Sequence, residues 1–169
     1  MALTKVVANV PYYITGAILR HLLSAAHKPT MMVLTVQKEV AERVTAVPPH
    51  MSLLAVSVQF YGSITQTAIL RAGAFWPPPR RGLRRHPPGF APKFPPDPAF
   101  EANFFRIVRA GFSQKRKQLH KNLRQLGLNK TEIDTILAQA HIDGTRRAET
   151  LTVTEWLTLT QQFSVNSKQ

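Results

Sequence analysis

Apolar residues in this chain fall first into short unbroken runs and later into helical spacing. Lys5 to Ala8, KVVA, reads as a short buried strand. From Ile14 to Ala26 the apolar positions Ile14, Ala17, Ile18, Leu22 and Ala25 follow the helical period and predict a helix. MMVLTVQ, Met31 to Gln37, leaves no room for a polar face, which predicts a strand inside a parallel sheet covered by helices. A short helix over Lys38 to Ala46 ends at Val47-Pro48-Pro49. Ser52 to Phe60 reads as a helix, and Ser63 to Leu70 alternates as a strand. This order belongs to an α/β sheet. It opens on a strand at residue 5 with no glycine-rich turn before it, so the expectation is a sheet whose earlier part is missing.

Past Phe75 both periods disappear into a stretch of Pro, Gly and Arg that runs to Pro98. Helical spacing then returns over Phe100 to Phe112, Gln114 to Leu126, Lys130 to Ala140 and Val153 to Phe163. Ser113 and Asn129 stand at the expected N-caps, and Gly127 closes the second helix. The expected organisation is a partial α/β domain over 1–79, an irregular segment over 80–97 and a small all-helical domain over 98–169.

Composition narrows the chemistry. A hydrophobic content of 44% over 169 residues is enough for a core. With no cysteine, disulfides, thiolate metal sites and cysteine nucleophiles are excluded. The six histidines are scattered, so no metal site is expected. Lys5 and the short run after it make a poor signal peptide, and no stretch is long enough to cross a bilayer; the expected location is the cytoplasm, away from membranes. The net charge of +13 points to a polyanion, since Lys and Arg bind nucleic acid by neutralising phosphate and releasing counterions.

The turn after the first strand carries specific chemistry. Asn9-Val10-Pro11-Tyr12 is the Asn-x-Pro-Tyr pattern of enzymes that methylate exocyclic amines of adenine and cytosine. Such an amine is a weak nucleophile, because its lone pair is delocalised into the ring. An Asn side-chain oxygen and the Pro main-chain carbonyl can each accept one amine hydrogen, and proline fixes the chain's direction. Tyr12 offers a flat face to an extruded base, worth roughly 1–3 kcal/mol by stacking. Asn9 and Pro11 are thus the expected acceptors and Tyr12 the platform.

Further motifs follow in order: VVANVPYYIT, VLTVQKEVAERV, LLAVSVQFYG, AFWPPP, FRIVRAGFSQKRKQLHKNL and RAETLTVTEW. Through them the chain resembles the ribosomal RNA adenine dimethyltransferase family, which dimethylates adenines of small-subunit RNA. The resemblance implies the C-terminal half of a Rossmann-like methyltransferase sheet followed by a helical domain, with S-adenosylmethionine as methyl donor. It makes Asn9, Pro11 and Tyr12 the target-adenine motif, sets Asn9 beside the donor, and makes Phe75 of AFWPPP the aromatic on the adenine's other face. Gln37, Lys38 and Glu39 are read as structural, and Tyr13 and Trp76 as packing residues.

SQKRKQLHKNLRQLG, from Ser113 to Gly127, has Leu119, Leu123 and Leu126 facing the core with Phe112. Lys117, His120, Lys121 and Arg124 form a stripe on another face, with Lys115 and Arg116 at the helix start. This stripe is expected to track a phosphate backbone, and Arg109 is a weaker candidate for the same role. Arg106, Arg146 and Arg147 are weaker candidates, and Arg147 is expected to contact Glu149.

Two departures from the family stand out. The family's glycine-rich cofactor loop and its ribose- and adenine-binding acids precede the Asn-x-Pro-Tyr strand, and nothing before Lys5 supplies them; most of the S-adenosylmethionine site is expected to be missing from this chain. Then, where the family continues approximately as V-D-S-A-V-I-R-L, residues 81–89 read RGLRRHPPG. If the codons are CGT-GGA-CTC-CGC-CGT-CAT-CCG-CCT-GGN, reading one base later restores that strand. A frame change spanning about 81–92 is therefore expected, and with it an irregular exposed loop at 80–96. The rival there is a natural Arg/Pro-rich linker. The leading expectation is an rRNA adenine dimethyltransferase fragment without turnover as an isolated chain. Alternatives are a non-catalytic RNA-binding remnant, and a large-subunit resistance or DNA adenine methyltransferase.

Overall fold

A computed structural model describes residues 5–65, 68–70, 83–86, 88–89 and 97–166. The chain divides into two compact units, Met1–Ala46 with Ser57–Phe94, and Val47–Val56 with Pro95–Gln169.

In the first unit β1 (Lys5–Asn9) leads through a 3-10 turn (Tyr12–Ile14) into α1 (Thr15–Ser24), and then to β2 (Met31–Gln37). The two strands pair in parallel, with Lys5 opposite Met31 and Asn9 opposite Thr35. A parallel pair needs a crossover, and α1 is that crossover. In β2, Met32, Leu34 and Val36 are buried, while the residues between them are half-buried or exposed. α2 (Lys38–Val44) follows at once and buries Ala41 and Val44. α3 (Leu53–Tyr61), of which only Ser57–Tyr61 group with this unit, starts under the Ser52 hydroxyl, which accepts from Ala55 N at 3.1 Å. The Gln59 amide donates to the carbonyls of Val44 (2.9 Å) and Ala46 (2.8 Å), closing chain ends that lack helical partners.

Two expectations for this unit are corrected. Ser63 to Leu70 is not one strand: β3 (Ser63–Ile64) and β4 (Ala68–Leu70) belong to different sheets. Nor is the stretch after Arg80 irregular throughout. β5 (Leu83–His86) lies between β2 and β4, antiparallel to both, and β6 (Pro88–Gly89) pairs with β3. The main sheet is thus mixed, in the order β1-β2-β5-β4. Ladder bonds use main-chain groups that every residue except proline carries, so a charged sequence such as LRRH can still fill a vacant strand position. That position is where the re-read codons place Ser-Ala-Val-Ile.

The second unit is helical: α4 (Pro98–Gly111), α5 (Leu119–Leu123), α6 (Lys130–Gln139) and α7 (Val153–Asn166). Asp97 caps α4, accepting from Ala99 N at 3.3 Å, with Pro98 at the first helical position. Asn129 and Glu132 form a reciprocal capping box on α6, and Gly127 takes φ 87° behind the 3-10 turn Arg124–Leu126, as the sequence predicts. Thr152 and Glu155 cap α7 in the same reciprocal way. Phe104, Ile107, Leu119, Trp156, Leu159 and Phe163 form the core, each at most 2% exposed.

The helix expected over Gln114 to Leu126 is corrected to a turn followed by the short α5, whose N-cap is Gln118. Ser113 caps nothing; its amide donates to Ala110 O behind α4. Residues 47–56 group with this unit, where Met51 is buried and its N–H bonds to Glu149 O at 3.0 Å.

Candidate functional site

The turn after β1 is built from its own backbone. Val10 is buried and its N–H donates to Thr35 O at 3.2 Å, extending the pairing with β2 by one residue. Pro11, at φ −59°, ψ 134°, then turns the chain outward. Its carbonyl accepts from Ile14 N (3.3 Å) and from the Thr15 hydroxyl (3.2 Å), which locks the 3-10 turn onto the start of α1. Asn9 is exposed at the end of β1, and its carboxamide has no partner among the described residues.

Here one expectation changes. The motif makes Pro11 the main-chain acceptor, but both lone pairs of its carbonyl already have donors within the turn. The neighbouring carbonyl of Val10 accepts no hydrogen bond among the described residues, so Asn9 Oδ1 and Val10 O are the free acceptors. The sequence does carry a signal for this: a threonine four residues after a turn proline can return its hydroxyl to that carbonyl. Tyr13, read as a packing residue, is 89% exposed. A turn this tight leaves its side chain no core to enter. Tyr12's backbone opens the turn, and Phe75 and Trp76 lie outside the described residues. Gln37 ends β2 as the N-cap of α2 without a side-chain capping bond, and Lys38 and Glu39 are the first residues of α2.

The cations of the second unit stand on a frame made by neutral amides. Asn122, 4% exposed, donates from Nδ2 to Gly111 O (2.6 Å) and Gln114 O (3.1 Å). Gln125 Nε2 reaches Ala110 O (2.8 Å), the Ser113 hydroxyl (2.6 Å) and Asn122 O (2.8 Å). The last carbonyls of a helix ordinarily attract Lys or Arg. Since amides satisfy them here, the cations stay in solvent. Arg109, Lys115, Arg116, Lys117, Lys121 and Arg124 are all exposed, and none joins an ion pair with a described residue.

They do not form the continuous helical stripe that the sequence predicts. Lys115, Arg116 and Lys117 lie in the turns between α4 and α5, and only Lys121 stands on α5 itself. His120 is half-buried, with Nδ1 2.8 Å from Gly144 O, so it serves the fold. The first α5 amides are also occupied, Leu119 N by Arg146 O (2.8 Å) and His120 N by Gly144 O (3.1 Å). Any anion here would therefore meet side chains and not a helix terminus.

Arg146 and Arg147 separate in role. Arg147 is exposed, and the expected contact with Glu149 is replaced by one between Arg146 and Glu155. Arg146 Nη1 donates to Glu155 Oε1, Nη2 to Thr150 O at 2.6 Å and Nε to the Thr150 hydroxyl at 3.2 Å. Partial burial pushes the Glu155 carboxyl up, but the Arg146 hydrogen bond and the Thr152 amide and hydroxyl outweigh it, leaving the pKa below the usual range. Asp143 is also held low, first by the Thr145 amide and then by the Thr145 hydroxyl. Arg106 bonds Asn103 Oδ1 through Nε (3.2 Å) and Nη2 (2.9 Å), which makes it a structural residue.

Among the described residues no group of His, Cys, Asp or Glu is placed to hold a metal, and no helix is long and apolar enough to cross a membrane.

Comparison with known proteins gives one consistent result. Residues 3–163 match the family model described as ribosomal RNA adenine dimethylase. Ribosomal RNA small subunit methyltransferase A of Dehalococcoides mccartyi (strain 195) is 42% identical over 163 residues, covering 96% of this chain and 56% of the relative. The protein of the same name from Desulfitobacterium hafniense is 39% identical, covering 95% and 58%. The chain therefore spans a little over half the length of the curated relatives it matches. Among solved structures, a dimethyladenosine transferase from Plasmodium falciparum superposes with TM-score 0.77 at 22% identity, over 98% of this chain and 69% of that one. The 23S rRNA methyltransferase ErmE gives 0.71 at 19%, over 95% and 65%. These two likenesses show the α/β fold with its helical unit.

Proposed function

The chain belongs to the ribosomal RNA adenine dimethylase family, and from that premise we propose that it carries the target-base side of an S-adenosylmethionine-dependent rRNA adenine dimethyltransferase, together with that enzyme's RNA-binding helical unit. The observation that carries this reading is the pair of free acceptors, Asn9 Oδ1 and Val10 O, at the carboxyl end of a parallel strand, where open α/β sheets bind their ligands. Each acceptor takes one hydrogen of the adenine amine. The amine is thereby held with its lone pair directed away from the strand, and the bound donor supplies an electrophilic methyl group there. Catalysis is mainly positioning. Pro11 fixes the turn, Thr15 holds it to α1, and Tyr12 and Phe75 stack on the two faces of the base.

The acids of the first unit are Glu39 and Glu42, both on α2, and Glu42 has Lys38 Nζ at 3.8 Å. Only Asn9 is assigned to the donor, so this chain alone binds S-adenosylmethionine weakly and does not turn over. Calorimetry that finds tight donor binding by the isolated chain refutes this part of the reading.

Arg109, Lys115, Arg116, Lys117, Lys121 and Arg124 contact phosphates of small-subunit rRNA in the cytoplasm. Changing Lys115, Arg116 and Lys117 together to Ser lowers the slope of log affinity against log salt by about 2 for single-stranded RNA, since each phosphate no longer neutralised removes about 0.7. Salt-dependent mobility shifts with an adenine-rich RNA measure this; an unchanged slope removes these residues from the interface.

A further inference from the structure

Tyr13 stands in the turn that carries the candidate acceptors, yet no described residue uses its side chain. It lies two residues beyond Pro11, in the 3-10 turn that Ile14 N and the Thr15 hydroxyl close on the Pro11 carbonyl. Its side chain is 89% exposed and joins no hydrogen bond or ring contact with a described residue. The other exposed large apolar side chains among the described residues are Val7, Met31, Val47 and Val165, and none of them is aromatic. A flat ring can stack on a base where an aliphatic chain cannot, and the Tyr hydroxyl keeps its outer end wet.

α1 continues this surface. Thr15, Leu19 and Leu23 are its buried positions, and Gly16, Ala17 and Arg20 are exposed. Gly16 sits in the first turn, where a Cβ would have nothing within 4 Å. No contact inside the chain therefore calls for glycine, which weakens a helix relative to alanine. What it leaves is bare backbone that an extended strand can approach closely. Arg20 is seven residues after Tyr13, which returns it to the same side about 10 Å further along. It is exposed and forms no ion pair with a described residue, and α1 carries no acid.

We propose that Tyr13 and Arg20 position the RNA strand beside the target adenine. Tyr13 stacks on the unpaired base next to that adenine, Gly16 lets the strand lie close to the helix, and Arg20 holds a phosphate further along it. This deepens the reading of Asn9 as an amine acceptor and rests on it. Charge complementarity selects the occupant. An exposed ring, a bare backbone and an unpaired cation in line are what an unpaired nucleic-acid strand uses, base by stacking and phosphate by charge. A docked protein segment would need further apolar surface next to Tyr13, and its neighbours on this side are Gly16, Ala17 and Arg20. Paired RNA does not fit, because its bases offer no free face.

The test is fluorescence anisotropy of a labelled uridine-rich decamer with a central guanine-adenine-guanine, bound by the whole chain. Tyr13→Ala should weaken binding about five- to hundredfold, the range of one base–aromatic stack, while Tyr13→Phe keeps the affinity. An abasic site in place of one flanking guanine should abolish the difference between Tyr13→Ala and the parent, a coupling that a merely structural role would not give. Arg20→Ser should lower the slope of log affinity against log salt by about 0.7. Gly16→Gln should weaken binding without lowering the melting temperature, since glutamine favours a helix. Tyr13→Ala should melt within about 2 °C of the parent, because the ring is exposed. Parent-like binding by Tyr13→Ala, or a loss that is the same on both abasic RNAs, overturns the proposal. So does a change in oligomeric state by light scattering with RNA affinity intact, which would mark Tyr13 as a protein contact. Asn9→Ala, and an RNA with unsubstituted purine for adenine, test the functional reading separately. Weaker binding in both with no effect of Tyr13→Ala removes only the present proposal. Binding indifferent to both removes the functional reading, and this proposal with it.

Discussion

Gly111→Ala is the sharpest test of packing in the helical unit. Gly111 is the last residue of α4, and its carbonyl accepts the 2.6 Å bond from Asn122. A Cβ there would lie well inside van der Waals contact of Trp156 Cη2, with Cζ3 at 3.1 Å and Leu119 Cδ1 at 3.3 Å. Both neighbours are fully buried, and Phe112 lies against the Trp156 ring with centroids 5.7 Å apart, so the indole has nowhere to retreat. Replacing Gly by Ala in a helix gains about 1 kcal/mol from propensity alone. Overpacking costs about 1–3 kcal/mol, and displacing the α4 terminus from Asn122 adds about 1 kcal/mol. The net effect is a destabilisation of about 1–3 kcal/mol. For a unit of this size each kcal/mol lowers Tm by about 4–8 °C. The assay is thermal unfolding followed by Trp156 emission in a Trp76→Phe background. A smaller ring relieves the clash, so Gly111→Ala with Trp156→Phe should lose at least about 1 kcal/mol less than the two single changes added together. A Gly111→Ala protein that melts at or above the parent temperature refutes the reasoning.

Further outcomes follow from the same geometry. Because the Glu155 pKa is depressed, its contribution is complete above its unfolded value near 4.5 and is lost as pH falls through the lower folded value; Glu155→Gln should flatten that acid-side loss in a pH series of melts and cost about 1–2 kcal/mol at neutral pH. Asn122→Ala removes the amide that holds Gly111 and Gln114 and should cost about 1–3 kcal/mol by urea titration, with weaker RNA binding as the Lys115–Lys117 turn loosens. Replacing Leu83, Arg84, Arg85 and His86 with Ser, Ala, Val and Ile should raise the Tm of the first unit, since the position is an internal strand; sequencing the codons for residues 81–92 tests the frame change directly, and codons that do not re-read as that strand end it.

The most legible elements are those whose apolar spacing is set by burial on one or both faces. The pattern predicts β2 with its observed ends, and α1, α2, α6 and α7 to within a few residues. It overextends α5 because Lys115 to Gln118 keep a helix-compatible composition; what shortens the helix is the pull of Asn122 and Gln125 on the α4 carbonyls, a contact between elements that no local period records. β5 is illegible for a different reason. Its place comes from the unmet ladder groups of β2 and β4, which recruit main chain whatever its side chains. Within the candidate site, Asn9 as a candidate is readable from its motif, whereas the occupied carbonyl of Pro11 depends on where Ile14 and Thr15 direct their donors.

Frame and fold bear on each other through β5. A strand interior in a mixed sheet ordinarily selects β-branched and aromatic side chains, and Leu-Arg-Arg-His meets that poorly while Ser-Ala-Val-Ile meets it better. If the two sequences share one set of nucleotides, the cations at 80–93 are by-products of reading frame and contribute nothing selected for RNA. Binding should then depend on Arg109, Lys115, Arg116, Lys117, Lys121 and Arg124, whose exposure follows from amides that take their usual helix-end partners. Arg84→Ala with Arg85→Val should accordingly leave the RNA salt slope unchanged, where the Lys115–Lys117 changes lower it by about 2. A slope that falls with the β5 changes and not with the others would transfer the interface to the sheet unit and overturn the assignment of RNA binding to the helices.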